Sequence, residues 1–106
     1  MKKLETKNFS LRLARLRTQK GVTARDMSLS MGQNPNYINH IETGRTLPSL
    51  TGFFYICEYL GVTPAEFFDE ENKNPRKLDE IMRDLRRLSP AQLETVAALV
   101  RELAGK

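Results

Sequence analysis

Glycines at 21, 32, 44 and 61 punctuate the N-terminal part of the chain, and each is followed within five positions by a Ser, Thr or Asn. Gly commonly ends a helix, and Ser, Thr and Asn commonly open one. The alternation therefore cuts this stretch into short helices and leaves little room for strands. Residues 9–20, "FSLRLARLRTQK", place Phe9, Leu13 and Leu16 at helical spacing, with Leu11 on the flank. Thr23 then caps "ARDMSLSM", with Asp26 at the third position as in a capping box. Met27 and Met31 lie four apart on its inner side. Asn34 caps a third helix and sets Pro35 at its first position, where the missing N–H costs least. Ile38 and Ile41 form its buried stripe. Ser49 caps a fourth helix over 50–60, with Phe53, Phe54, Ile56, Cys57 and Leu60 as its apolar residues. "TPAEFF" repeats the device with Thr63, Pro64 and Glu66, and it sends Phe67 and Phe68 inward.

Residues 69–74, "DEENKN", carry no core residue and read as a linker. Asn74 and Pro75 then start a helix with a stripe of Leu78, Ile81, Met82, Leu85 and Leu88. "SPAQ" at 89–92 is a further capping box. It restarts a stripe of Leu93, Val96, Ala97, Val100 and Leu103. The expected class is all-α, with one five-helix domain over 1–70 and a linker with C-terminal helices over 71–106.

Charge is divided along the chain. Residues 1–20 hold seven Lys/Arg against one Glu, whereas residues 49–72 hold five acids and no Lys or Arg. A basic segment of this kind suits a polyanion, although basic surface helices are common without one. No run of about 18 apolar residues exists to span a membrane. The N-terminus lacks an apolar signal core, so a cytoplasmic location is expected. Cys57 is the single cysteine and reads as buried filler. His40 has no second His or paired Cys with which to hold a metal. No nucleophile–base pair, metal cluster or phosphate-cradling Gly loop appears, so neither an enzyme nor a cofactor is expected.

The second and third helices are joined by only a few residues around Gly32, the layout of a helix-turn-helix. Gly32 supplies the left-handed residue such a turn needs. Ser28 is small enough for the two helices to cross closely. Pro35, Asn36, Asn39, His40 and Thr43 remain on the outer face of the third helix. Asn can pair bidentately with adenine in the major groove. Taken with "LR" at 16–17, "KGVT" at 20–23, "YINHIETGR" at 37–45, "PS" at 48–49 and "LGVTPAEFF" at 60–68, residues 9–68 resemble the Cro/lambda-repressor-type, xenobiotic-response-element family of helix-turn-helix regulators.

That resemblance implies a lambda-repressor-like domain that inserts the helix over 34–43 into the major groove of double-stranded DNA. By position, Pro35, Asn36, Asn39 and His40 would face base edges. Asn34, Thr43, Arg45 and Thr46 would contact phosphates, with Thr23 and Arg25 standing in where Ala24 replaces a common Gln. Tyr37 would either pack over the helix or reach a phosphate with its hydroxyl. Arg17 and Glu42 would form a structural ion pair. Ser28 replaces a usual Ala, Gln33 an apolar turn residue, and Pro35 a polar base reader. Pro35 could still touch a thymine methyl. The stripe of Leu78, Ile81, Leu85, Leu88, Leu93, Val96, Val100 and Leu103 is read as a homodimer seam, against the alternative of a hairpin folded on its own monomer. A dimer would suit a near-palindromic operator. Two rival readings use the same C-terminal helices to bind a protein partner: an antitoxin-like autoregulator and a protein-interaction module.

Overall fold

A computed structural model describes residues 6–105 of the chain. Its regular elements among those residues are all helices: α1 (Thr6–Lys20), α2 (Ala24–Ser30), α3 (Tyr37–Glu42), α4 (Leu50–Leu60), α5 (Pro64–Phe68), α6 (Pro75–Leu85) and α7 (Pro90–Gly105). Lys2 and Lys3, part of the basic N-terminal segment, lie outside the described residues. The chain divides into two compact units, one ending at Pro75 and the other running from Arg76. The first therefore extends past the boundary at 70 expected from composition.

Local signals set most helix ends. Thr23 Oγ1 accepts the Asp26 N–H at 2.9 Å, and Ser49 Oγ accepts the Gly52 N–H at 3.0 Å. Thr63 and Glu66 form a reciprocal capping box at 3.0 and 2.9 Å. Ser89 and Gln92 form another at 3.2 and 2.9 Å.

The core of the first unit lies between α1 and the four helices after it. Leu13, Met27, Ile38, Ile41, Ile56 and Phe67 are fully buried, with Leu16, Phe53, Cys57, Leu60 and Val62 nearly so. Phe53 meets Phe67 edge-to-face, with centroids 5.2 Å apart. Phe68, expected inside, is 51% exposed, and Phe54, one of the apolar residues of α4, is 50% exposed. The inward face of α4 is set by Phe53, Ile56, Cys57 and Leu60. Phe54, one residue on, is turned about 100° from Phe53 by the helical pitch. Burial raises the Cys57 thiol pKa to about 11, so it is protonated and unreactive at neutral pH.

Helices α2, α3 and α5 have only seven, six and five residues. An isolated helix below about 12–15 residues is marginal in water. These three therefore depend on tertiary anchors. The described buried polar residues are Ser10, Arg12 and Ser28, and each bonds a backbone group of a short helix. Arg12 is the most heavily engaged. From α1 its Nε donates to the Phe67 carbonyl at 2.6 Å. Its Nη2 lies 2.7 Å from the Glu66 carbonyl, 3.0 Å from that of Asp69 and 2.8 Å from that of Asn72. A cation here closes the open carbonyl end of α5 and complements its dipole. Burial lowers the Arg12 pKa, Arg15 adds to that, and Asp69 and Glu70 oppose it. The "DEENKN" segment is thus folded onto α1 and is not a free linker. Gln19 Nε2 also donates to the Lys73 carbonyl at 2.6 Å, and Pro75 is fully buried.

The second unit holds most of α6 and all of α7. Leu85, Leu88, Val96 and Ala97 are half-buried within it. Leu78, Ile81, Met82, Leu93, Val100 and Leu103 are exposed. The predicted stripe therefore divides into a partly covered portion and an open one.

Candidate nucleic-acid interface

Helix α2 ends in a Schellman turn: Gln33 N–H bonds the Ser28 carbonyl at 2.9 Å and Gly32 N–H bonds that of Leu29 at 3.0 Å. Gly32 takes φ +74° to allow it. The chain then reaches α3, which the sequence placed from Asn34 with Pro35 at its first position. Regular helix instead begins at Tyr37. The Asn34 carbonyl accepts the Tyr37 N–H at 2.9 Å, a turn of three residues rather than four. The Ile38 N–H, which a helix begun at Asn34 would send back to that carbonyl, goes to Ser28 Oγ at 3.0 Å. Asn34 still shapes the approach, because its Oδ1 accepts the Asn36 N–H at 2.8 Å.

The other end of α3 is held as firmly. Ser10 Oγ, buried on α1, donates to the Ile41 carbonyl at 2.7 Å. Arg17 forks onto Glu42, Nε to Oε2 at 2.6 Å and Nη2 to Oε1 at 3.0 Å. Its Nη1 reaches the Val22 carbonyl at 2.8 Å. The bond to Glu42 raises the Arg17 pKa, outweighing desolvation. Gly44, at φ +81°, closes a second Schellman turn: its N–H bonds the Ile41 carbonyl at 3.1 Å, and Arg45 N–H bonds that of His40 at 2.9 Å. Arg45 and Thr46 are left exposed just beyond the helix.

The two faces of α3 differ sharply. Ile38 and Ile41 are fully buried beneath it. Asn36 and Asn39 are exposed, and Pro35 and His40 are half-exposed on the outside. Thr43 is exposed, with its hydroxyl donated to the Asn39 carbonyl at 2.9 Å. Thr23 and Arg25 are exposed at the start of α2. Tyr37 is half-buried against the core, and that burial raises its pKa. Its ring also explains Gly52 inside α4: a Cβ there would lie 2.8 Å from the Tyr37 hydroxyl.

Sequence reasoning gathered the outer face of α3 but missed the residues that hold it. Ser10 and Gly52 went unremarked, and Ser28 was valued only for its size. The N-terminal charge was also overread. Arg12 is buried, and Arg17 is paired with Glu42 at 19% side-chain exposure, so two of the seven cations are engaged inside the fold.

Comparison with known proteins agrees with this geometry. The family described as "Helix-turn-helix domain" matches residues 8–67. The chain is also similar to a protein of Sinorhizobium fredii (strain NBRC 101917 / NGR234) named "Uncharacterized HTH-type transcriptional regulator y4dJ". The two are 31% identical over 75 residues, covering 71% of this chain and 92% of the relative. No solved structure matches the chain. No helix among the described residues is long and apolar enough to cross a membrane.

Proposed function

The chain belongs to the helix-turn-helix domain family, and on that premise we propose that it is a sequence-specific DNA-binding transcriptional regulator of the Cro/lambda-repressor type, acting in the cytoplasm as a dimeric repressor. The observation that carries this reading is the polarity of α3. Two fully buried isoleucines fix its back, and hydrogen-bonding side chains stand open on its front. In this reading the helix and its leading turn enter the major groove. Asn36, Asn39, His40 and Pro35 meet base edges. Thr23, Arg25, Asn34, Tyr37, Thr43, Arg45 and Thr46 lie along the phosphates on either side.

The dimer reading rests on the exposed apolar side chains of the second unit. Two copies would present their recognition helices about 34 Å apart to a near-palindromic operator. The same open stripe supports a second reading, in which it binds a different protein, as in an antitoxin-like autoregulator.

Two kinds of substitution separate base reading from phosphate contact. Asn36→Ala and Asn39→Ala should each weaken binding to the preferred duplex by about 1–3 kcal/mol while leaving the melting temperature unchanged. Arg45→Ala should weaken binding to all duplexes alike and flatten the salt dependence by about one unit of slope. Fluorescence anisotropy at several salt concentrations reads both. Wild-type affinity for the preferred duplex in both Asn variants would remove them from the reading face.

A further inference from the structure

The N-cap of α3 is Asn36, at φ −97° and ψ 4°, and its side chain makes no capping hydrogen bond. Asn is among the strongest N-cap residues, and its oxygen would ordinarily take the N–H two or three positions on. Two positions on is Ile38. That N–H is already taken, at 3.0 Å, by Ser28 Oγ of the neighbouring helix. Ser28 is fully buried, and its own proton is committed to the Ala24 carbonyl at 2.7 Å. Its rotor is thereby fixed, with a lone pair presented to Ile38. The hydroxyl bridges α2 and α3 and satisfies a donor that would otherwise be orphaned at the helix start.

We propose that Ser28 is a positioning residue for DNA reading: it caps the recognition helix from outside, and so leaves the Asn36 amide free to face a base. The inference rests on the DNA-binding reading above and adds a division of labour to it. An Asn side chain turned back to cap its own helix is not extended outward to pair with a base. Placing the cap on another helix resolves that competition, and it also ties the angle of the reading face to α2. Without the hydroxyl, the Ile38 N–H loses its acceptor, and an Asn36 side chain turning back to take it would assume the usual role of an N-cap Asn. Alanine at 28 would thus act on DNA through Asn36.

The test is a double-mutant cycle on the full chain. Wild type, Ser28→Ala, Asn36→Ala and the double variant are each titrated with two duplexes. One is the duplex that wild type enriches from a random pool, and the other is a scrambled duplex of the same composition. The readout is the ratio of the two affinities, which general destabilisation does not shift, and circular dichroism establishes that each variant is folded. Ser28→Ala is expected to lower the ratio about tenfold or more, approaching Asn36→Ala, as loss of one bidentate base contact would. The double variant should lose little beyond either single change. An unchanged ratio in Ser28→Ala, or losses that simply add, would overturn the proposal while leaving the DNA reading intact. Failure of wild type to prefer any duplex would overturn both.

Discussion

Arg12→Ala is expected to destabilise the first unit by at least about 3 kcal/mol, on the basis of roughly 1.5–3 kcal/mol for each hydrogen bond made by a charged group. Arg12 is 6% exposed, and its Nε and Nη2 share their three protons among four backbone carbonyls within 3.0 Å. Alanine would leave the Glu66 and Phe67 carbonyls at the end of a five-residue helix without their donor. It would also release the Asp69–Asn72 turn from α1. Phe67, fully buried in the core, sits on that helix, so the damage reaches the packing. A domain of this size should lose about 12 °C or more in thermal midpoint. Arg12→Lys should recover only part of this, because a single ammonium cannot reproduce the Nε and Nη2 contacts of the planar guanidinium. Thermal denaturation followed by circular dichroism reads the effect. A loss below about 1 kcal/mol would mean that water replaces the guanidinium at little cost.

Deletion of residues 76–106 is expected to leave a folded monomer whose affinity for the preferred duplex falls by roughly 10²–10⁴, the usual contribution of a linked second binding event. The cut belongs after Pro75 because that proline is fully buried and closes the first unit. A cut before it would confuse loss of dimerisation with loss of fold. Light scattering on the full chain and the deletion gives the stoichiometry, and anisotropy gives the affinity. A deletion that stays dimeric would move the dimer seam off α6 and α7, and a full chain that is already monomeric would remove the seam altogether. In that case the exposed Leu78, Ile81, Leu93 and Val100 would point to a different protein partner.

Most helix ends were legible because their causes are local. Thr23, Ser49, Thr63 and Ser89 bond within three residues of themselves, so the pattern is readable along the chain. The buried faces of α3 and α4 followed from periodicity. What escaped is held by distant partners: Ser10 reaches 31 residues to Ile41, and Arg12 reaches 60 to Asn72. In sequence, both sit in a helix that reads as basic and soluble. The start of α3 was misplaced for the same reason. Asn34 and Pro35 make a good local start, but Ser28, ten residues back, takes the Ile38 N–H that would have extended regular helix to Asn34. Phe68 was assigned inward together with Phe67, whereas the helical pitch gives the fully buried position to Phe67 alone. The outer face of α3 was legible because its chemistry is unusual. Asn36 and Asn39 stand exposed above two buried isoleucines on a six-residue helix, and neither is needed to hold that helix to the core.

The central claim is that the outer face of α3 reads base sequence. Enrichment of duplexes from a random pool, run in parallel on wild type and on Asn36→Ala/Asn39→Ala, tests it most directly. The account predicts that wild type enriches a near-palindromic motif, and that the double variant loses information at matching positions in both half-sites while still binding DNA. An identical motif from the two proteins, or no motif from wild type, would contradict it.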